Sequence, residues 1–511
     1  MELQTWRVTA RPMWLAVLVA AFVSVDVGHT LWSAGGAAYA QDDDGDDDGD
    51  DAGDDDAGDS AGGGDDGGDD GGDDTDDDDD DDGTSVGAGG TEGGGQGRTN
   101  RGRGDGLTPE RGPARTRLPE AAPPPVFAVG ELVVTDLSNA DLATLQSEGF
   151  AVIERVELAE VAVVLHRLRV PPGLTLEQAR ARVRAVPTGS TGDFNHYYRS
   201  EEGSITPAAG QVSTRFDLDS VERCTHFNCA ALDLIGWPRL RSLSPQCQVT
   251  VTVGVIDTGV NAAHENLLGA RIEVLRLVAE DVDPSAAVHG TAVAALLVGQ
   301  TPDRAPGLIP EAQVIAVDIF GRTGGDERAS VASLVKALDL LAVRGVKVIN
   351  LSLAGPPNVA LEATLARLSQ PGGALVLAAA GNGGPTAEVA YPAGYPMVLA
   401  VTAVDQRGQV YRRAQRGDHL DLAAPGVEVW SATSIRGVKP KTGTSFAVPF
   451  ATAVAAVLAS RVPDVPPETL AMQMRGLVRD LGAPGPDEVY GAGLLALDSL
   501  CAPASPAAPV E

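Results

Sequence analysis

The chain has 511 residues, of which 43% are hydrophobic, enough for one substantial core and one or two smaller units. Its formal charge of −33 belongs to one stretch: residues 42–82 hold 25 aspartates and no basic residue, and without them the charge is −8. The net charge therefore describes one tail and says little about the partners of the folded part; no nucleic-acid partner is expected.

The first forty residues read as a signal peptide (1–40). Arg7 and Arg11 precede an apolar run over 14–25, and Ala38-Tyr39-Ala40 offers a small-x-small cleavage site before Gln41. Asp26 limits that run to about 12 residues, short of the roughly 20 that a spanning helix needs. The expectation is an exported protein, periplasmic or secreted. If the signal is retained, residues 14–39 would anchor it, and only then is a membrane a partner. Residues 41–97 are mostly Asp and Gly, have nothing to bury, and read as disordered. No hydrophobic position recurs there at a fixed period, as stacked calcium-binding turns would require. Residues 98–124, with six arginines among Gly and Pro, read as a linker.

Residues 125–200 form a small unit. Glu131 to Thr135 reads as a strand, and Leu137 to Gly149 as a helix capped by Ser138 or Asn139 and stopped by glycine. Phe150 to Val156 and Val161 to Val170 alternate as strands do. Thr175 then caps a helix running to about Ala185. The order β-α-β-β-α predicts an α+β open-faced sandwich. Residues 201–248 read as a linker with one short amphipathic segment around 229–235, and 501–511 as a C-terminal tail. Export permits disulfides among Cys224, Cys229, Cys247 and Cys501. A small loop joining Cys224 to Cys229, or Cys247 to one of them, is preferred; a crosslink to Cys501 and free buried thiols stay open.

From residue 249 the rhythm changes. Val251–Ile256, Gln313–Asp318, Lys347–Leu353, Ala374–Ala379 and Val398–Val404 are apolar and β-branched, as strands buried on both faces are. Residues 290–298, 327–344 and 358–369 between them read as helices. The fold class expected for 249–500 is α/β: a mostly parallel sheet flanked by helices in three layers, with its active site beyond the carboxyl ends of the strands. Asp257 ends the first strand, His289 opens a helix of small residues, Asn382 lies between two glycines after a strand, and Ser445 heads an Ala- and Val-rich helix. An acid, a base, an amide donor and a nucleophile at element edges are what covalent acyl transfer needs. The amides from Ser445 onward are expected to be open donors of a helix terminus. Asp318 and Asp326 read as turn or solvent positions.

The strings Val255-Ile256-Asp257-Thr258-Gly259, His289-Gly290-Thr291, Ala380-Gly381-Asn382-Gly383 and Gly443-Thr444-Ser445-Phe446-Ala447, with Pro449, resemble the subtilisin-like serine peptidases over residues 249–500. The resemblance implies a serine endopeptidase with Asp257, His289 and Ser445 as catalytic triad and Asn382 as oxyanion donor. It implies that Leu351, Ser352, Leu353, Ala354 and Gly355 pair with an extended protein or peptide substrate, and that Ala380 and Gly381 line an apolar primary pocket. It makes residues 125–200 similar to the family's propeptides, a partner within the same chain, cleaved off between about 200 and 250. A permanently attached regulatory or binding domain, favoured if a disulfide from Cys224 or Cys229 to Cys247 holds the linker on, stays open. Val448 stands where the family usually has alanine. No metal or cofactor is expected; the structural calcium that many relatives carry has no clear loop between Asp257 and His289, and stays open.

Overall fold

The structure, a computed structural model, describes residues 123–200, 224–237, 245–279, 282–462 and 464–501. The expected signal peptide, acidic segment, nearly all of the Arg/Gly/Pro linker, and the tail beyond Cys501 lie outside the described residues.

The N-terminal unit runs β1 (Phe127–Thr135), α1 (Asn139–Ser147), β2 (Ala151–Leu158), β3 (Val163–Arg169), α2 (Leu176–Ala185) and β4 (Asp193–Ser200). Ser138 caps α1, and Thr175 with Gln178 forms a capping box on α2. The strands lie antiparallel in the order β2-β3-β1-β4. Alternation along them separates two faces. Leu132, Val134, Leu168 and Phe194 meet Leu145, Ala179 and Val183 of the helices, while Val133, Val163, Leu165 and Tyr198 face the larger body. The strand at 193–200 had no signal in the sequence. Asn195 and His196 are buried there by the larger body, so local alternation does not reveal it.

The larger body begins with α3 (Cys229–Leu234), β5 (Thr252–Asp257), β6 (Arg271–Arg276), β7 (Asp283–Pro284) and α4 (Val288–Val298). There follow β8 (Gln313–Asp318), β9 (Phe320–Thr323), β10 (Asp326–Ser330), α5 (Val331–Val343), β11 (Val348–Leu351), β12 (Leu353–Ala354) and α6 (Val359–Leu368). The rest is β13 (Leu375–Ala379), β14 (Val398–Val404), β15 (Leu422–Pro425), β16 (Val429–Ala432), β17 (Val438–Lys441), α7 (Thr444–Arg461), α8 (Pro467–Arg475), β18 (Val478–Arg479) and β19 (Leu494–Leu495). Nine strands pair in the order β18-β19-β15-β14-β13-β11-β5-β8-β6, all parallel except β18. Val253 and Val255 of β5 face a core built with α4 and α7; Ile256 faces a second core built with α5 and α6. These are the three layers expected. Residues 327–330, read from sequence as helix, are the strand β10; the helix starts only at Val331, capped by Ser330.

Helix α7 has the length and apolarity to cross a membrane, but it is almost wholly buried at the centre of the body, which makes it a core helix. Residues 229–235, read as part of a linker, place Ala231 and Ile235, followed by Trp237, in the same core as α7. Two disulfides join Cys224 to Cys229 and Cys247 to Cys501, the second closing a span of 254 residues.

Candidate active site

Asp257 is the last residue of β5, and its carboxylate accepts the Thr258 N–H at 2.7 Å. His289 is the second residue of α4. Its Nδ1 lies 2.8 Å from Asp257 Oδ1 and 3.0 Å from Oδ2, with both side chains almost fully buried. A carboxylate only accepts, so Nδ1 carries the proton and Nε2 is the basic nitrogen. The two motifs interlock. Gly290 N–H donates to Thr258 Oγ1 at 2.8 Å, and Thr291 Oγ1 accepts from Asn261 N–H at 2.8 Å. Gly290 has to be glycine: a Cβ there would stand 2.3 Å from the Thr258 carbonyl oxygen.

Ser445 is the second residue of α7, reached through Gly443 at φ +153°. Its Oγ donates to the Ser352 carbonyl at 3.2 Å, and Ser352 Oγ donates back to the Ser445 carbonyl at 2.9 Å. Asn350 Nδ2 donates to Ser352 Oγ at 2.9 Å and Thr452 Oγ1 donates to Asn350 Oδ1 at 3.1 Å, so a buried polar chain ties β11 to α7 beneath the serine. Thr452 and Ser352, the tethering partners of Asn350, become visible only in three dimensions. Phe446, in the first turn of α7, sets its ring 5.3 Å from the His289 ring, which brings the two motifs against each other.

Asn382 Oδ1 accepts from Thr444 N–H at 3.0 Å and from Thr444 Oγ1 at 3.1 Å. Thr444 Oγ1 in turn accepts the Gly381 N–H at 3.2 Å. With Oδ1 committed beside the nucleophile, the amide nitrogen is the group that can donate to a substrate oxygen. The helix terminus is less open than expected from sequence, because Phe446 N–H goes to the Gly443 carbonyl; the Thr444 N–H just before Ser445 goes to Asn382. Ala380 and Gly381 border this loop, Gly381 at φ +106° with the Gln415 side chain 2.8 Å from where a Cβ would be.

The Leu351–Gly355 edge is already paired. β12 takes β4 in antiparallel register, Leu353 opposite Ser200 and Ala354 opposite Arg199. On its other side β4 pairs with β10, Ala329 opposite Tyr198 and Ser330 opposite Tyr197. Tyr198 is fully buried and its hydroxyl donates to the Pro356 carbonyl at 2.8 Å.

Asp326 is half-buried in ion pairs with Arg199 and Arg328. Asp318, read as a turn or solvent residue, is buried at the end of β8, and burial first of all raises its pKa to about 6. Cys224, His226 and Cys229 come close enough to hold a metal ion, but the two sulfurs are joined to each other and so are not thiolate ligands.

A three-layer parallel sheet with a buried Asp–His pair at one strand end and a serine at a helix start defines a subtilisin-like serine endopeptidase. The model of the Subtilase family matches residues 249–493. The chain is 31% identical over 370 residues to an alkaline protease of Alkalihalobacillus alcalophilus, covering 72% of this chain and 87% of that protein. It is 28% identical over 246 residues to the minor extracellular protease Epr of Bacillus subtilis (strain 168), which covers 48% of this chain but only 37% of Epr. Among solved structures, fervidolysin from Fervidobacterium pennivorans, a keratinolytic enzyme related to subtilisin, shares the fold with a TM-score of 0.60 at 22% identity, covering 76% of this chain and 63% of that one. The chain belongs to the subtilase family.

Proposed function

We propose that the protein is an exported endopeptidase that cleaves peptide bonds through an acyl-enzyme on Ser445. Ser445 Oγ attacks the scissile carbonyl while His289 Nε2 takes its proton. Asp257 holds the ring in that tautomer and stabilises the imidazolium. Asn382 Nδ2 donates to the oxyanion as it forms. His289 then protonates the leaving amine, and water repeats the sequence on the acyl-enzyme. The observation that carries this reading is the buried Asp257–His289 pair, 2.8 Å apart.

Residues 125–200 act as a propeptide on the same reading. β4 lies between β10 and β12, where an extended substrate would add its strand. It runs toward Ser352, whose carbonyl takes the Ser445 hydroxyl. Elsewhere the unit is held by Asp339, which accepts the Glu160 and Val161 N–H groups at 2.9 and 3.1 Å, and by Lys336 paired with Glu154 at 2.8 Å. Maturation falls before Cys224, because residues 229–237 are built into the core of the catalytic body. The two disulfides suit an exported protein. The test is the N-terminus of the secreted protein, read by mass spectrometry in wild type and S445A. The expected result is a wild-type chain beginning between residues 201 and 224 and an S445A chain that keeps residues 125–200. The same N-terminus in both would refute self-maturation, and wild-type protein inert on a peptide library would refute the activity.

A further inference from the structure

We propose that Asp318 is a positioning residue for the Asp257–His289 pair: it holds the turn after Asp257 through Ser285 and sets a second carboxyl beside the triad. The inference rests on the function proposed above and goes beyond the three residues named there.

The register puts it in place. β5 and β8 are parallel neighbours, and Asp318 is the direct partner of Asp257 at their carboxyl ends. Ser285 bridges the two strands at this end. Its hydroxyl accepts the Gly259 N–H at 2.7 Å and lies 3.3 Å from Asp318 Oδ2, to which it donates. Gly259 is the residue two beyond Asp257, so the turn that fixes the triad acid is tied through Ser285 to Asp318. The contact is tight: a Cβ on Gly259 would stand 3.0 Å from Ser285 Oγ and 3.3 Å from Asp318 Oδ2. The same Ser285 segment leads through Ala287, at φ +54°, directly into the helix that carries His289. Asp318 Oδ1 meanwhile accepts the Phe320 N–H at 3.0 Å, so the carboxyl is held from both sides.

The charged groups around Asp318 are few. From β6, Arg276 approaches to 3.8 Å; from β5, Asp257 opposes it with like charge. Glu327 of β10 and Arg322 of β9 are engaged one step away, on Ala286 N–H and the Pro284 carbonyl. Burial is the largest influence and carries the Asp318 pKa to about 6, against the partial pull of Phe320 N–H, Arg276 and Ser285. Asp318 therefore changes charge in the range where a catalytic histidine exchanges its proton. An ionised Asp318 favours the imidazolium and a protonated one does not, so its charge weighs on the Asp257–His289 pair beside it.

The experiment follows the rate of fluorophosphonate labelling of the secreted full-length gene product against pH, for wild type, D318N and R276Q. In wild type the acid limb is broader than one ionisation. D318N removes the charge that favours imidazolium, so its limb moves down by about half a pH unit, and on that limb it labels about threefold faster relative to its own plateau. R276Q removes a cation and moves the limb the other way. A narrow wild-type limb of one ionisation, or variant limbs that superimpose on wild type, overturns the inference while leaving the proposed activity standing. A wild-type protein that takes no label at any pH overturns the proposed activity instead. Should one variant fail to fold, the shift of the other decides.

Discussion

The catalytic body and the unit docked on it are held together by different physics. Inside the body, α4 and α7 meet the sheet through Ala, Val and Leu side chains, and the Cys247–Cys501 bridge adds a covalent tie. Across the docking face, apolar residues such as Tyr198, Val163 and Leu165 share the surface with polar pairs partly or wholly withdrawn from water: Lys336 with Glu154, Arg199 with Asp326, Asp339 with two N–H groups, and Asn358 with His196. Apolar burial is indifferent to pH and to the chemistry of the chain ends. Desolvated polar pairs fail sharply when one partner changes charge or is lost. The body relies mainly on the first, and the docking of the 125–200 unit, whose release is proposed above, relies in part on the second.

The comparison can be broken at the covalent end first. Replacing Cys247 and Cys501 by serine removes a bridge over 254 residues, and the chain-entropy model expects a loss of about 5 kcal/mol of stability. Thermal unfolding of the secreted protein checks this; an unchanged midpoint would mean that apolar burial alone holds the body. Next comes Asn382→Ala, expected to lower kcat by about 10²–10³-fold with little change in KM, a range established for such a donor in subtilisin. Steady-state kinetics on a peptide substrate reads it, and a pure KM effect would remove Asn382 from the oxyanion site. On the docking face, Tyr198→Ala empties a fully buried site and should weaken docking by about 3 kcal/mol. In the S445A background, where the unit is expected to stay attached, hydrogen exchange in β12 would rise markedly; unchanged protection would contradict β4's share in holding the unit.

The smallest effect is a pH effect. Asn358 Oδ1 is committed to the Ala360 and Leu361 N–H groups at the start of α6, so its Nδ2 must donate, to the Phe194 carbonyl and to His196 Nδ1 at 3.0 Å. His196 Nδ1 is therefore an acceptor, and the docked unit holds the ring neutral. Burial lowers its pKa, Asp193 opposes that, and Arg180 adds to it. A lowered histidine pKa means that docking is at full strength above about 6.5 and weakens as the pH falls below it. The loss is at most about tenfold per pH unit. Docking in S445A measured by hydrogen exchange at pH 7.5 and 5.5 should show the difference, and His196→Gln should flatten it.

Much of this was legible in the sequence, and the reason is local. Gly290 is needed because another backbone passes within contact of it and Gly443 because its φ is positive, so the motifs around His289 and Ser445 keep a readable form. Buried parallel strands such as β13 and β14 announce themselves by continuous apolar runs. What was hidden depends on partners far away in the chain. Residues 327–330 read as the start of a helix but become a strand because β4 and β9 pair with them. Asp318 looks like a turn residue until β5 and β6 are set on either side of it. Residues 224–237 look like a linker until Asn228 forms its two hydrogen bonds with the Trp430 backbone and Phe227 stacks on the Trp430 ring at 4.3 Å.

The central claim is that Ser445, served by the His289–Asp257 pair, is the nucleophile. The most direct measurement is peptide mapping by mass spectrometry after the secreted protein is treated with a fluorophosphonate at neutral pH. The account predicts a single adduct on Ser445, lost in H289A. An adduct on another serine, or labelling of Ser445 that proceeds equally fast in H289A, would contradict it.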